Sequence, residues 1–415
     1  MKNITAEILT IGDEILYGQI LDTNAQWMSY ALDQLGVRVV RKTTVGDNEP
    51  DILHAFTEAE GRADLVLITG GLGPTNDDLT MPSLAKYFGC QIVENPSVLA
   101  HVKDFFEKRG REFTEMNKRQ ALVPEIAEVI HNSLGTAPCT WYERNGKIFV
   151  SMPGVPHEMK NIMKEFVIPK IREFFQTPVI YHKVIKTVGI GESFLAEKIK
   201  DWEYALPPHI RLAYLPSIGH VKLRLTAIGE DRGLLEKEVQ QLIDVFLPLA
   251  GKYIYGYDEI SLEEAIGQLL LAQKKTIALA ESCSGGFIQH KITQIPGSSA
   301  YFQGGIVPYH NQFKIDVLGV KASTLEKHGA VSEECVTEMA ERVREKFNSD
   351  IGIASSGIAG PGGGSEEKPV GTVWIAYADS KQTITKRLQL TQNRILNIEL
   401  TEIAVLNLVR KSLNQ

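Results

Sequence analysis

The sequence predicts an α/β protein in three parts: a parallel-sheet N-terminal domain, a small α+β unit and a C-terminal α/β domain. Three observations carry this. At 415 residues the chain exceeds what one ordinary hydrophobic core organises. Near both ends, apolar runs of strand length alternate with amphipathic helical stretches, the pattern of parallel strands covered on both faces. Between about Gln176 and Lys252 the pattern changes to period-two alternation, which marks half-exposed strands. The boundaries expected are 1–175, 176–252 and 255–415.

Taken in order, Ala6 to Ile11 reads as a strand that stops at Gly12-Asp13-Glu14. From Asn24 an amphipathic helix carries Trp27, Met28, Ala31, Leu32 and Leu35 and ends at Gly36. Val37 to Val40 is a second strand, Pro50 to Ala59 a helix, and Asp64 to Thr69 a third strand. Ligands of such sheets collect at the carboxyl ends of the strands. Two strand ends carry distinctive turns, Gly12-Asp13-Glu14 and Gly70-Gly71-Leu72-Gly73-Pro74-Thr75-Asn76-Asp77-Asp78-Leu79-Thr80. Three glycines let backbone amides approach an anion, and the acids after them are suited to a divalent cation. A Gly-rich turn capped by aspartates is the competing structural reading.

The middle segment reads strand (Tyr181 to Val188), helix (with Phe194, Leu195 and Ile199), strands Arg211 to Leu215 and His220 to Ile228, then a helix from Leu234 to Phe246. In the C-terminal part, a helix from Leu262 to Leu271 is capped by Ser261, with Glu263 and Glu264 in its first turn. Thr276 to Ala280 is a strand, and a helical pattern starts at Phe287. A helix from Cys335 to Phe347, strands Ile351 to Ser355, Gly371 to Ala378 and Thr383 to Leu390, and a closing helix from Asn393 complete the layer.

The net charge of −7 argues against a surface that coats nucleic acid. No basic-plus-apolar leader and no long apolar run occurs, so a cytoplasmic, non-membrane protein is expected. Cys90, Cys139, Cys283 and Cys335 are scattered without Cys-x-x-Cys spacing, which suits a reducing compartment and carries no zinc signature.

The clearest chemistry lies between Thr276 and Lys314. Glu281-Ser282-Cys283-Ser284-Gly285-Gly286 is a strand-to-helix turn, where free amides and the positive helix end converge. A serine there, followed by Tyr309 and Lys314, matches a Ser–Lys hydrolase in which an uncharged amine takes the hydroxyl proton. For the lysine to be neutral it needs burial and nearby positive charge. Ser282 as a simple helix cap and Lys314 as a solvated lysine are the bland alternatives. Cys283 is the rival nucleophile, since a helix N-terminus lowers a thiol pKa.

Several stretches carry a resemblance. Ala280-Glu281-Ser282-Cys283-Ser284-Gly285-Gly286, Pro296-Gly297-Ser298-Ser299, Tyr309-His310-Asn311-Gln312-Phe313-Lys314 and Ser356-Gly357-Ile358-Ala359-Gly360-Pro361 resemble the signature of the nicotinamide-nucleotide amidase domain, which also forms the C-terminal part of CinA (competence/damage-inducible) proteins. The resemblance implies hydrolysis of nicotinamide mononucleotide to nicotinate mononucleotide and ammonia, without a cofactor, by Ser282, Tyr309 and Lys314. It implies substrate contacts from Gly285, Gly286, Ser356, Gly357 and Arg394, with Arg394 on the 5′-phosphate. The run Gln392-Asn393-Arg394 departs from that family's Gly-Asp-Arg, and Ser284 replaces a usual threonine.

The Gly70 to Thr80 run, with Asp47 in Val45-Gly46-Asp47, resembles the molybdopterin-binding, MoaB/MogA-like domain, and Asn132 to Pro138 with Pro153-Gly154-Val155-Pro156-His157-Glu158-Met159 resembles its closing part in CinA proteins. This implies a nucleotide site at Gly70, Gly71, Gly73 and Thr80. It also implies a divalent metal cation held by Glu14, Asp47, Asp78 and Glu158 for ADP-ribose hydrolysis to AMP and ribose 5-phosphate. Cys139 stands where those proteins usually carry glycine, so its side chain is expected at a turn that narrows the nucleotide pocket. The middle segment resembles a KH-type fold, but Gly189-Ile190-Gly191-Glu192 lacks the Gly-x-x-Gly spacing that clamps RNA. A spacer that sets the geometry of two catalytic domains and of a homodimer is preferred over nucleic-acid binding. The alternative from another class is a non-catalytic pterin- or partner-binding protein linked to competence or DNA repair.

Overall fold

The structure, a computed structural model, describes residues 4–414. It divides into two compact units: one runs to Tyr181 and includes Ala227–Glu236, the other holds His182–Thr226 and everything from Lys237 onward.

In the first unit the strands are β1 (Thr5–Ile11), β2 (Arg38–Val45), β3 (Leu65–Thr69), β4 (Ile92–Glu94), β5 (Leu122–Pro124), β6 (Glu128–Ile130), β7 (Cys139–Arg144) and β8 (Lys147–Met152). Six form one sheet in the order β2-β1-β3-β8-β7-β6, and β4 pairs with β5. The four strands β2, β1, β3 and β8 are parallel, as the buried apolar runs predict; β7 and β6 continue the sheet antiparallel. Leu65 to Thr69 is buried throughout because helices cover both faces. One face packs Met28, Leu32, Leu67, Trp141 and Val150 together, the other Phe56, Leu84, Ile68 and Phe149.

Cys139 corrects the sequence reading. It is the first residue of β7, pairs with Ile130 of β6, and is fully buried in the core with Trp141 and Met159. The turn ends one residue earlier, at Pro138, and the β-prone Thr140-Trp141-Tyr142 that follows draws the cysteine into the ladder. Its side chain therefore does not reach the nucleotide pocket, which is lined by Pro138 instead.

A sheet lying mostly in the second unit is formed by β9 (Val179–Val188), β10 (Ile210–Ser217), β11 (His220–Gly229) and β12 (Ile254–Tyr257), in the order β10-β11-β9-β12. Strand β12 lies beyond the expected end of the middle segment at Lys252, and pairs antiparallel with β9. The middle sheet thus continues past Lys252, and it shares one compact unit with the C-terminal layer. Val221, Leu223 and Leu225 are buried on one face of β11, while His220 and Lys222 lie on the other.

The C-terminal layer holds β13 (Ile277–Glu281), β14 (Phe302–Ile306), β15 (Ile351–Gly357), β16 (Thr372–Ala378) and β17 (Thr383–Gln389), ordered β14-β13-β15-β16-β17. β13 is parallel to β14 and β15, and the last two strands are antiparallel. The helix Glu333–Lys346 buries Val336, Met339, Ala340 and Val343 on one face; Leu262–Ala272 and Arg394–Leu413 cover the other. The Ser261 cap is present, accepting the Glu264 amide at 3.1 Å. Among the described residues, no helix is long and apolar enough to cross a membrane.

Candidate active site

Strand β13 is an interior strand of its sheet, between β14 and β15, so the turn that follows it is held from both sides. The Ser282 amide donates to the Ser355 carbonyl at 2.9 Å, and the Ser284 and Ser355 hydroxyls are 2.7 Å apart. Ser282 is thereby fixed at the strand's carboxyl end.

Lys314 comes from the far side of β14. Its side chain is 1% exposed, and Nζ stands 3.0 Å from Ser282 Oγ while donating to the Pro308 carbonyl at 2.9 Å and the Tyr309 carbonyl at 3.4 Å. Burial pulls the lysine below its ordinary range; the charge contributions, from the Cys335 and Cys283 side chains, run the other way. Desolvation, rather than the nearby positive charge expected from the sequence, is thus what favours the neutral amine. Cys283 is buried and its thiol is pushed up to about 12, again by burial, so it is not a thiolate nucleophile at neutral pH.

The oxyanion donors differ from the expectation. Glu281, 1% exposed, folds its carboxylate under the turn and accepts the amides of Gly286 (3.1 Å), Ile288 (3.1 Å) and Gln289 (2.7 Å). The Gly285 amide is used by the Ser282 carbonyl. The helix end is therefore already occupied by a side chain of the protein. Among the described residues, no carbonyl or carboxylate accepts from the amides of Cys283 or Ser284; Cys283 lines the Ser282 pocket, whereas Ser284 lines the neighbouring groove. Gly286 has φ +96°, a conformation that lets the turn enter the helix directly. Gly285 and Gly286 line a neighbouring groove with Phe287 and Ile398, not the Ser282 pocket.

That pocket, of about 300 Å³, is lined by Ser282, Tyr309, Lys314, Ser356, Gly360 and Arg394 among others. Arg394 donates to the Gly360 carbonyl at 2.7 Å and to the Tyr309 hydroxyl at 2.8 Å. Tyr309 is 58% exposed, so its hydroxyl orients Arg394 at the rim while its carbonyl holds Lys314. Ser356 is buried and donates to the Ala330 carbonyl at 2.6 Å; Gly357 lies in β15, where a Cβ would meet the Thr372 carbonyl at 2.8 Å. Lys368 turns to the His328 carbonyl at 2.9 Å. The glycines Gly360, Gly362 and Gly363 supply further backbone to the pocket wall.

Sequence reasoning missed Glu281 as a structural carboxylate. An acid closing a strand of otherwise apolar residues, Ile277-Ala278-Leu279-Ala280, was the available signal: such an acid is buried and needs donors.

In the first unit, Gly71, Gly73, Asp78, Arg119 and Gln120 line a cavity of about 250 Å³. Gly70 has φ +102°, and a Cβ there would collide with the Ile11 carbonyl, so the loop crosses β1 with no room for a side chain. Thr80 donates to the Gly70 carbonyl at 2.8 Å. The four acids are not brought together as a metal cage. Asp78 accepts from the Gly73 amide (2.6 Å), the Thr75 amide (2.9 Å) and the Thr75 hydroxyl (2.6 Å), so it is engaged in holding its own turn. Glu158 accepts from Asn132 at 2.7 Å. Asp47 accepts the Asp13 amide at 3.1 Å; burial, then the charges of Asp13, Glu14 and Asp77, hold its carboxyl above the ordinary range. Among the described residues, no three His, Cys, Asp or Glu side chains converge as metal ligands. The fit is limited to a cation that shares one or two carboxylates with a bound phosphate.

Three family models match the chain in sequence. They are the "Probable molybdopterin binding domain" over residues 7–173, the "Damage-inducible protein CinA KH domain" over 182–256 and the "CinA C-terminal domain" over 259–413. A CinA-like protein of Cytophaga hutchinsonii is 53% identical over 413 residues, covering 100% of this chain and 99% of its own. A CinA-like protein of Chloroherpeton thalassium is 44% identical over 420 residues, with 99% of each chain covered. Among solved structures, CinA of Thermoplasma acidophilum is 34% identical with a TM-score of 0.38, covering 42% of this chain and 100% of its own. With its three segments matched in order and its whole length shared with these relatives, the chain belongs to the CinA family.

Proposed function

We propose that the C-terminal layer is an amidase that hydrolyses the carboxamide of nicotinamide mononucleotide to nicotinate mononucleotide and ammonia. The observation that carries this reading is the buried Lys314 Nζ at 3.0 Å from Ser282 Oγ. Ser282 Oγ adds to the carboxamide carbon as its proton passes to Lys314. The backbone amide of Cys283, which lines the pocket next to Ser282, is the proposed donor to the oxygen that becomes anionic. Collapse breaks the C–N bond, and the proton on Lys314 goes to the departing amine, which leaves as ammonia. Water then adds to the acyl-serine, giving its proton to Lys314, and the carboxylate product and serine are released. Arg394 and the Gly360–Gly363 backbone suit the 5′-phosphate. The test is ammonia release from nicotinamide mononucleotide by the full chain and by Ser282→Ala; activity retained in the variant would overturn the assignment.

A second reading concerns the first unit: hydrolysis of ADP-ribose to AMP and ribose 5-phosphate. It is supported by the cavity of Gly71, Gly73 and Arg119 and by Asp47, whose like-charged neighbours a cation would relieve. A divalent ion there would be held by Asp47 with Asp13 or Glu14 and would supply charge neutralisation at the pyrophosphate. Asp78 then serves to shape the loop. ADP-ribose turnover in the presence of magnesium, lost in Asp47→Asn, is the expected outcome. The reading makes the protein a pyridine-nucleotide enzyme; a cytosolic location and a homodimer are part of the same proposal.

A further inference from the structure

Within the second unit a cavity of about 450 Å³ lies between the polar face of the middle sheet and the C-terminal layer, apart from the Ser282 pocket. The sheet presents Lys186 from β9, His220 and Lys222 from β11, and Tyr255 from β12. Lys186 donates only to the Ile260 carbonyl (2.8 Å), and Lys222 depresses it further by repulsion, after burial. Among the described residues, no carboxylate pairs with Lys222, and His220 Nδ1 is buried without a hydrogen-bond partner. Two lysine amines and an unpartnered ring nitrogen thus share one wall; Glu263 acts on His220, and Glu259, Asp258 and Glu264 on Lys186, through charge without a direct ion pair, and a bound anion would give these donors direct partners.

The facing wall is of another kind. Lys291 is paired with Glu263 at 3.4 Å, Glu399 lines the same wall, and Glu402 is 5% exposed. Burial and the charges of neighbouring acids, Glu263 foremost, push the Glu402 carboxyl up to about 8, so at neutral pH it is largely a carboxylic acid able to donate. A metal ion is a poor occupant because the lysines oppose it. Two aromatic rings, Tyr255 and Phe287, flank the space, and the volume is that of a small-molecule site.

We propose that this cavity is a second ligand site for a nucleoside monophosphate, its phosphate on Lys186, His220 and Lys222, its planar ring between Tyr255 and Phe287, and a polar group against Glu402. Phe287 begins the helix after the Ser282 turn, and Glu402 lies on the helix that starts at Arg394, so the ligand touches both elements that carry the Ser282 pocket.

The test uses pyridoxal 5′-phosphate on the full chain, because it carries a phosphate and a planar ring. Its aldehyde condenses with a neutral lysine amine, releasing water, and borohydride reduces the imine to a stable secondary amine that peptide mass spectrometry locates. Lys186 or Lys222 should be modified about tenfold faster than the exposed Lys108, and AMP should suppress this more strongly than inorganic phosphate does. In calorimetric titration, Lys222→Gln, checked for an unchanged melting temperature, should lose the AMP-binding component assigned here by about tenfold or more, the loss of one charge-assisted contact. Labelling is read residue by residue, so it does not depend on the amidase reading. Modification of both lysines no faster than Lys108, or unaffected by saturating AMP, would overturn the proposal. Equal protection by inorganic phosphate would overturn its nucleoside half.

Discussion

Replacing Lys314 by Met separates the base from the burial that tunes it. Met fills a comparable volume without an amine, so proton transfer from Ser282 is lost and kcat should fall by about 10²- to 10⁴-fold, the range for removing a general base. Lys314→Arg should fall as far, because a guanidinium stays protonated throughout the accessible pH range. Stability supplies an independent reading with a definite sign. The folded-state pKa of Lys314 is depressed below the unfolded value near 10.5, so between those two values the unfolded chain binds more protons. Its penalty on folding is full below the folded pKa and disappears as pH rises toward 10.5. Each tenfold suppression of protonation is worth about 1.4 kcal/mol. Against this, Met leaves the Pro308 carbonyl without the Nζ donor, a cost of about 1–3 kcal/mol that does not vary with pH. The difference in stability between wild type and Lys314→Met, from urea unfolding between pH 6 and 10, should therefore move in favour of the wild type as pH rises. Amidase kcat/KM in the wild type should climb over the same interval, since only the neutral amine accepts the proton. A stability difference independent of pH, or a Lys314→Met enzyme within a few-fold of normal, would remove the depressed lysine from the mechanism.

Further outcomes follow from the same geometry. Ser282→Ala should abolish ammonia release while Cys283→Ala retains most of it, and iodoacetamide at pH 8 should leave Cys283 unmodified in the folded protein because its thiol titrates near 12. Glu281→Ala strands three amides at the helix end and should lower stability by about 3 kcal/mol or more, with kcat reduced along with it; chemical denaturation and ammonia release are the measurements. Cys139→Gly should destabilise the first unit by about 2 kcal/mol, seen as a lower melting temperature, and bring no gain in ADP-ribose turnover, because the side chain fills core rather than pocket. A fragment from residue 182 should keep metal-independent amidase activity and melt higher than one from residue 255, which cuts β12 and removes the Lys252 carbonyl that Arg410 holds at 2.9 Å.

The parts legible in sequence are those where local pattern and chemistry coincide. Leu65 to Thr69 read as a buried strand and Ser282 as the residue after one, whereas pairing Ser282 with Lys314 rested on the family resemblance, with a helix cap and a solvated lysine as the alternatives. Long-range pairing was not legible. Nothing in Cys139-Thr140 says that Ile130 lies beside it, and Ile254 to Tyr257 reads as linker until β9 is seen to accept it. Carboxylates were the hardest class, because a turn acid satisfied by its own loop and one held for a metal have the same sequence. Asp78 receives three donors from Gly73 and Thr75 of its own loop.

The helix Arg394–Leu413 spans 20 residues, a rod of about 30 Å. At one end it presents Arg394 to the pocket rim; toward the other, Arg410 grips the carbonyls of Lys252 and Ile254, and Asn407 sits against Gly189 at the end of β9. A rod anchored in this way turns a small tilt of the middle sheet into a displacement of the guanidinium. Substitutions at Gly189 or around Lys252, remote from any reacting atom, should thus register as altered substrate affinity.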